Sequence, residues 1–393
     1  MGRLARLVLV FAVGVVAGWP AKPWIVGLSE RRGDEIPPAV VEDHGHLTVL
    51  RLQGPPYEMG YQHGVAQRRA IRQLLEERVY GGAILGGGRS HGILLSQARQ
   101  MERELPADVR RELHGIADGA GLAYEDVLLL NLVLNHLSYW CVASADPRFL
   151  FPPLDLRALG FALWPPAIRQ GEALHSTLLG YRLDAPGQAA RLRRHLLAVA
   201  YEPTDGQSYM ILTWSGQVGA WCGLNEANLA ICATPARGDE GGDRGLSPAL
   251  LTRRLLAHAQ DGEQALRQAI QHDYVASFQL LIADGQTGKA TAVTFGAHRY
   301  EIVESQTGML TFGSDQAQLL PILGSNLGWL DRDKALAALS SRPAPGRGSP
   351  GICGESTLLN ALFAPSRGEL WVGLDLWPAA CRRYLHLRLA DRN

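Results

Sequence analysis

The sequence predicts an α+β layered fold, on three observations. Residues 57–136 carry apolar positions at helical spacing. From about residue 196, short runs rich in β-branched and aromatic residues follow one another, separated by turn residues such as Thr204-Asp205-Gly206 and Asp284-Gly285. A helical pair, Pro248–Ala259 and Gly262–Gln271, interrupts those runs. Spacing this tight favours antiparallel hairpins over parallel βαβ units.

The elements follow in order. Arg3 and Arg6 precede an apolar run from Leu7 to Trp19 that stops at Pro20. A basic start and a short apolar core read as an export signal over residues 1–21. The run falls short of the roughly 20 residues a membrane-spanning helix needs. An uncleaved membrane anchor through residues 4–19 is the alternative. Residues 22–46 are Pro-rich and charged and read as a linker. Residues 47–393 read as one domain, with a helical segment at 47–140 and a strand-rich part at 141–393. Within it LTVLRL (47–52) predicts a strand. Tyr57–Tyr80, Gln97–Asp118 and Tyr124–His136 predict helices, and the glycine-dense stretch 81–92 predicts a break between them. Residues 145–170 are aromatic, Leu-rich and Pro-rich with no regular period, which suggests a packed loop or an apolar lid over an active site. LLAVAYEP, QSYMILTW, NLAICAT, FQLLIAD, KATAVTF and RYEIVES predict strands, as do residues 368–376 and 383–390.

Composition excludes some functions. Lys+Arg and Asp+Glu number 38 each, so there is no net field to draw in a nucleic acid. His44, His46 and His63 offer no third ligand at a telling spacing, so no metal is expected, and no other cofactor is implied. There is no Gly-x-Ser-x-Gly turn and no phosphate-binding loop. The five cysteines, Cys141, Cys222, Cys232, Cys353 and Cys381, show no C-x-x-C spacing. In an oxidising compartment four can pair, which leaves one as a reactive thiol.

Three blocks carry a resemblance: YEMGYQHG (57–64), ELHGIADGAGLAYEDVLLLN (112–131) with Cys141 ten residues later, and GLNEANLAI (223–231). In this order they resemble the acyl-CoA:6-aminopenicillanic acid acyltransferase family of the N-terminal nucleophile hydrolase superfamily. More distantly they are similar to acid ceramidase, phospholipase B-like and choloylglycine hydrolase proteins. The resemblance implies a four-layer αββα sandwich. It also implies a precursor that cuts its own Trp140–Cys141 bond, after which the freed amine serves the thiol as base. An amine and a thiol have reference pKa values close enough, about 8 and 8.5, for that transfer.

The same resemblance proposes the other site residues. Asn225 matches an Asn-Glu pair, and its amide suits an oxyanion donor; a turn asparagine is the plain alternative. The family's Arg-Asn-x-Asp stretch falls in the candidate hairpin 171–186. Aligned on His175 without gaps, Thr177 stands on the Arg position and Gly180 on the Asp; with a four-residue shift, Tyr181 stands on the Arg position and Asp184 on the Asp, with Arg182 one residue away. Asp184 would orient the amine. The family's Thr-Asn-His stretch falls at Gly313–Gln316, where Asp315 stands in for an amide and donates only if protonated. The expected activity is transfer or hydrolysis of an amide- or ester-linked acyl group, from a small-molecule or lipid-like substrate. A binding module that keeps the fold without the chemistry is the alternative.

Overall fold

Two antiparallel-rich sheets lie face to face, with helices on both outer surfaces. The computed structural model describes residues 33–389 apart from 34, 46, 87–89, 138–154, 170–176, 237–244, 297–298, 314–315, 343–351 and 374–382. The export signal, Cys141 and Asp315 therefore lie outside the described residues. Among the described residues no helix is long and apolar enough to cross a membrane.

The chain opens with β1 (Val40–Asp43) and β2 (Thr48–Gly54). β1 falls inside the stretch read as a linker, where Val40-Val41 pair with Arg51 and Leu50 of β2. A helical run follows: α1 (Pro56–Leu75) continued by a π-helical stretch Glu76–Gly86, then α2 (His91–Glu104), α3 (Ala107–Ala120) and α4 (Tyr124–Asn131) with a π-helical end Leu132–Leu137. Two expectations change here. The predicted break at residues 81–92 begins later, because the helix runs on through Gly81 and Gly82 to Gly86. The helix predicted from Gln97 to Asp118 is two helices, because Pro106 forces the residue before it, Leu105, into extended backbone.

The larger sheet adds β5 (Leu196–Pro203), β6 (Tyr209–Trp214), β7 (Cys222–Asn225), β8 (Leu229–Pro235), β9 (Phe278–Asp284), β10 (Lys289–Phe295) and β11 (Tyr300–Val303), in the order β1-β2-β5-β6-β7-β8-β9-β10-β11. All neighbours are antiparallel except β2 and β5, which run parallel. The smaller sheet has β3 (Arg157–Leu163), β4 (Leu178–Asp184), β12 (Met309–Gly313), β13 (Thr357–Ala364), β14 (Glu369–Gly373) and β15 (Tyr384–Arg388), in the order β12-β3-β4-β13-β14-β15.

β3 corrects the reading of residues 145–170 as a lid. Its part from Arg157 to Leu163 is a central strand of the smaller sheet. Ala158 and Ala162 enter the core between the sheets, and Leu159, Phe161 and Leu163 enter the core on the other side. Both faces are buried, so the strand is apolar throughout and shows no period.

α1 packs on β2 and β5. The helices α6 (Pro248–His258) and α7 (Gly262–Ala269) cover β6 to β9. On the far side α5 (Ala189–Arg193), α8 (Gln316–Gly324) and α9 (Arg332–Leu339) cover β13, β12 and β4. The expected four layers, helix-sheet-sheet-helix, are present.

The crossing of α1 and α3 is tight, and it explains the glycines of the first two motif blocks. Gly60 and Gly64 of α1 face Gly115 and Gly119 of α3. A β-carbon at Gly60 would strike the Glu112 carbonyl oxygen, and one at Gly115 the Tyr57 carbonyl oxygen. The helices meet backbone to backbone, so no side chain can be added without parting them. Arg68 of α1 then reaches over to donate to Gly119 O at 2.9 Å, and Arg72 donates to Gly121 O at 3.1 Å. These bonds satisfy carbonyls that the end of α3 leaves open.

The crossing yields a prediction. Gly60→Ala lowers stability by about 3 kcal/mol through overpacking, whereas Gly92→Ala, at an exposed and open place in α2, leaves it unchanged or raised by roughly 0.5 kcal/mol. Urea unfolding of both variants checks this; equal effects would contradict a backbone-tight crossing.

Candidate functional site

The polar chemistry of the protein converges on one loop. Ser215–Ala220 joins β6 to β7, and all six residues are buried. A buried loop strips its peptide groups of water, so each needs a partner from the protein. The helices supply them. His63 of α1 accepts from Gly216 N at 3.0 Å. Asn131, the last residue of α4, donates to Gly216 O at 2.8 Å and accepts from Val218 N at 3.0 Å. Arg253 of α6 donates to Val218 O at 2.9 Å, and Ala220 N donates to Ala249 O at 2.9 Å. Ser215 N donates to His195 O at 2.9 Å, and Thr213 Oγ1 lies 2.7 Å from Gly219 O.

An amide ladder extends from this loop along the end of α4. Asn135 Nδ2 donates to Asn131 Oδ1 at 3.0 Å, and Gln217 Nε2 donates to Asn135 Oδ1 at 2.8 Å. Gly219 leaves the space for it, since a β-carbon there would strike Asn135 Oδ1. Asn131 and Asn135 are one helical turn apart, so both amides reach one side of the helix. Asn135 stands six residues before Cys141 in the sequence.

A buried charge pair closes the other side. Arg253 bonds Glu112 of α3, and the guanidinium carbon lies 4.7 Å from the centre of the Tyr201 ring. Tyr201 donates to Glu112 Oε1 at 3.0 Å, and Arg253 Nε donates to the Tyr209 hydroxyl at 3.2 Å. Removing one partner of such a pair strands a charge in the core. Burial, and then the Arg253 charge, lower the pKa of His63 to about 3. Because Nε2 accepts from Gly216 N, the neutral ring carries its proton on Nδ1, an assignment from the hydrogen-bond network. His195 is also pushed down, to about 4, by burial.

Of the site residues expected from the sequence, Asp184 and Asn225 are among the described residues, and they lie apart. Asp184 ends β4 and is buried. It pairs with Arg182 at 2.6 Å, both side chains nearly sealed from solvent. It is therefore no solvated turn residue. Along β4, Leu179, Tyr181 and Leu183 enter the core between the sheets. By alternation Arg182 and Asp184 face the outer helices, and Arg182 bonds the Ile352 carbonyl there.

Asn225 is buried at the end of β7. Its Nδ2 donates to Leu256 O and Ala259 O, both at 3.0 Å, and its Oδ1 accepts from Leu229 N at 3.0 Å. Both amide hydrogens are used, so none is left for an oxyanion. In this structure Asn225 clamps the β7–β8 turn to α6.

The two residues also lie at opposite ends of the sandwich. Thr177 Oγ1 donates to the carbonyl of Asp284, the ladder partner of Leu229, and Tyr181 OH donates to Ala233 O. β4 therefore runs along β8 in the same sense. Asn225 sits at the Leu229 end, and Asp184 lies three residues past Tyr181, which separates them by about 20 Å at ~3.3 Å per residue.

The pH dependence of stability tests the loop. Folded His63 refuses the proton that the unfolded chain takes up below pH 6.5, so its contribution is full above that pH and falls away toward about 3. His63→Gln keeps an acceptor for Gly216 N but does not titrate. Urea unfolding between about pH 4 and 6 should show the dependence reduced by about 1.4 kcal/mol per pH unit in this variant. Parallel curves would contradict the buried neutral ring.

Residues 189–311 match the family described as acyl-coenzyme A:6-aminopenicillanic acid acyl-transferase. The matched stretch holds loop 215–220 and Asn225. An uncharacterized protein of Archaeoglobus fulgidus is 25% identical over 298 residues, covering 72% of this chain and 48% of its own. Protein dcd1A of Dictyostelium discoideum is 22% identical over 288 residues, covering 66% of this chain and 61% of its own. The chain thus spans only about half the length of these relatives.

Among solved structures, the Caenorhabditis elegans N-acylethanolamine-hydrolyzing acid amidase ortholog is similar at TM-score 0.40 and 11% identity, over 53% of this chain and 93% of that one. A mutant conjugated bile acid hydrolase of Clostridium perfringens is similar at TM-score 0.36 and 11% identity, over 60% and 93%. Residues 189–311 are thus similar to the acyl-coenzyme A:6-aminopenicillanic acid acyltransferase family, and of the three motif blocks that resemble it, 223–231 lies within the match.

Proposed function

We propose that the protein is an N-terminal nucleophile amidohydrolase or acyltransferase, with Cys141 as nucleophile after cleavage of the Trp140–Cys141 bond. The observation that carries this reading is the family match over residues 189–311 within a four-layer αββα fold. In the chemistry, the Cys141 thiolate attacks the carbonyl carbon of an amide or ester. The amine or alcohol leaves with a proton, and a thioester remains on sulfur. Water or a second amine then takes the acyl group and returns the thiol. The α-amino group of the new chain end carries the proton between steps.

Cys222 and Cys232 are free, and Cys353 is disulfide-bonded. The reading requires the Cys141 thiol to stand outside any disulfide. Arg3, Arg6 and the apolar run Leu7–Trp19 support export. The substrate is a small molecule bearing an acyl group. Residues 157–163 form β3, so that part of 145–170 offers no lid for a lipid-like chain. A second reading, a non-catalytic binding module, is favoured by one observation: the Asn225 amide is fully engaged.

Intact-mass measurement of the purified protein separates the two. The enzyme reading predicts a chain broken before Cys141, alkylation of Cys141 without prior reduction, and release of acyl product from amide or ester substrates. Cys141→Ala should abolish both the break and the turnover. A wild-type chain that stays whole and inert after export, or a Cys141 disulfide in its peptide map, would rule the reading out.

A further inference from the structure

Two cysteines outside the proposed catalytic chemistry stand directly opposite each other. Cys222 of β7 pairs in register with Cys232 of β8, and both are fully buried free thiols. The ladder shows which kind of pair this is. Glu226 N donates to Ser208 O at 3.0 Å, so by alternation Leu224 and Cys222 bond toward β6 while Gly223 bonds toward β8. Ala233 N donates to Trp221 O at 3.0 Å on that same side. The next pair along, Cys222 and Cys232, is then a non-hydrogen-bonded one, with α-carbons about 4.5 Å apart. That lies inside the range of roughly 4.4–6.8 Å that a disulfide bridges.

The side chains also share a face. A β-carbon on Gly223 would meet Leu256 of α6, so Gly223 faces the helices and its neighbour Cys222 faces the second sheet. Cys232, opposite it, projects into the same dry space. Tyr181 crosses from the smaller sheet to bond the carbonyl of the next residue, Ala233.

We propose that Cys222 and Cys232 are a disulfide site, open in the structure described here and closed across β7 and β8 when the chain folds with a disulfide oxidant present. The chemistry is thiol–disulfide exchange. One thiolate attacks the oxidant's disulfide to give a mixed disulfide, and the second thiolate displaces the oxidant's remaining half. Two S–H bonds are lost, one S–S bond forms, and the oxidant leaves as two thiols. Burial raises both thiol pKa values and keeps reagents out, so the folded protein resists the reaction. The pair therefore records the redox state in which the chain folded. With Cys353 already bonded, closing this pair brings four of the five cysteines into disulfides.

This inference is independent of the catalytic reading, and its test needs no activity. The full chain is unfolded, reduced and refolded with or without oxidised glutathione, then denatured, alkylated and digested with trypsin. Both cysteines fall in one tryptic peptide, residues 195–237, bounded by Arg194 and Arg237. After oxidative refolding this peptide should carry no alkyl group and weigh about 2 Da less than the dithiol form, the two hydrogens passed to the oxidant. After refolding without oxidant it should carry two. Oxidised glutathione added to protein already folded and reduced should leave both cysteines alkylatable on denaturation. In Cys232→Ser the oxidatively refolded peptide should show one alkylated Cys222. Two alkyl groups after oxidative refolding of the wild type, or a bridge from this peptide to Cys141, Cys353 or Cys381, would overturn the proposal.

Discussion

The structure depends on a loop that cannot reach water. Ser215–Ala220 lies beneath three helices, and its peptide groups survive burial only because His63, Asn131 and Arg253 bond them. An unsatisfied buried peptide group costs about 1–3 kcal/mol, so the loop fixes these side chains as firmly as they fix it. Two of the three come from the motif blocks at 57–64 and 112–131. The glycines of those blocks serve the same end, since the tight α1–α3 crossing sets the positions of His63 and of Glu112, which holds Arg253. Polar and glycine residues of the motifs thus act as a frame.

This frame bears on the proposed maturation. The segment before Cys141 is not a detachable cover. β2 lies inside the larger sheet between β1 and β5, α1 and α4 bond the loop that links β6 to β7, and Glu112 of α3 holds the Arg253 that also bonds it. A cut before Cys141 would leave both parts joined through one sheet and one buried hydrogen-bond network. The amide ladder through Asn135 and Gln217 anchors the helical turn six residues ahead of the proposed cut.

The layered class, the helical run and the antiparallel strands after residue 196 were legible because propensity, spacing and turn residues agreed. β3 was not, because a strand buried on both faces loses the alternation that marks strands. The split between α2 and α3 is signalled by Pro106, which breaks a helical period that otherwise runs on from Gln97 to Asp118. Asn225 drew attention as a motif residue, yet its hydrogen bonds to Leu256 and Ala259 depend on where α6 packs, which no local pattern states. The amides that matter most, Asn131 and Asn135, stood in plain view in VLLLNLVLNHL as two polar residues one turn apart in an apolar helix. Their partners, Gly216 and Gln217, lie some 80 residues away, and that pairing is set by the fold alone.

Native-state hydrogen exchange at Gly216 and Val218 tests the frame most directly. If the loop is held as described, these two amides exchange only through global unfolding, with the free energy measured by denaturant. Exchange of either through a local opening, at a rate like that of exposed turn amides such as Gly206, would contradict it.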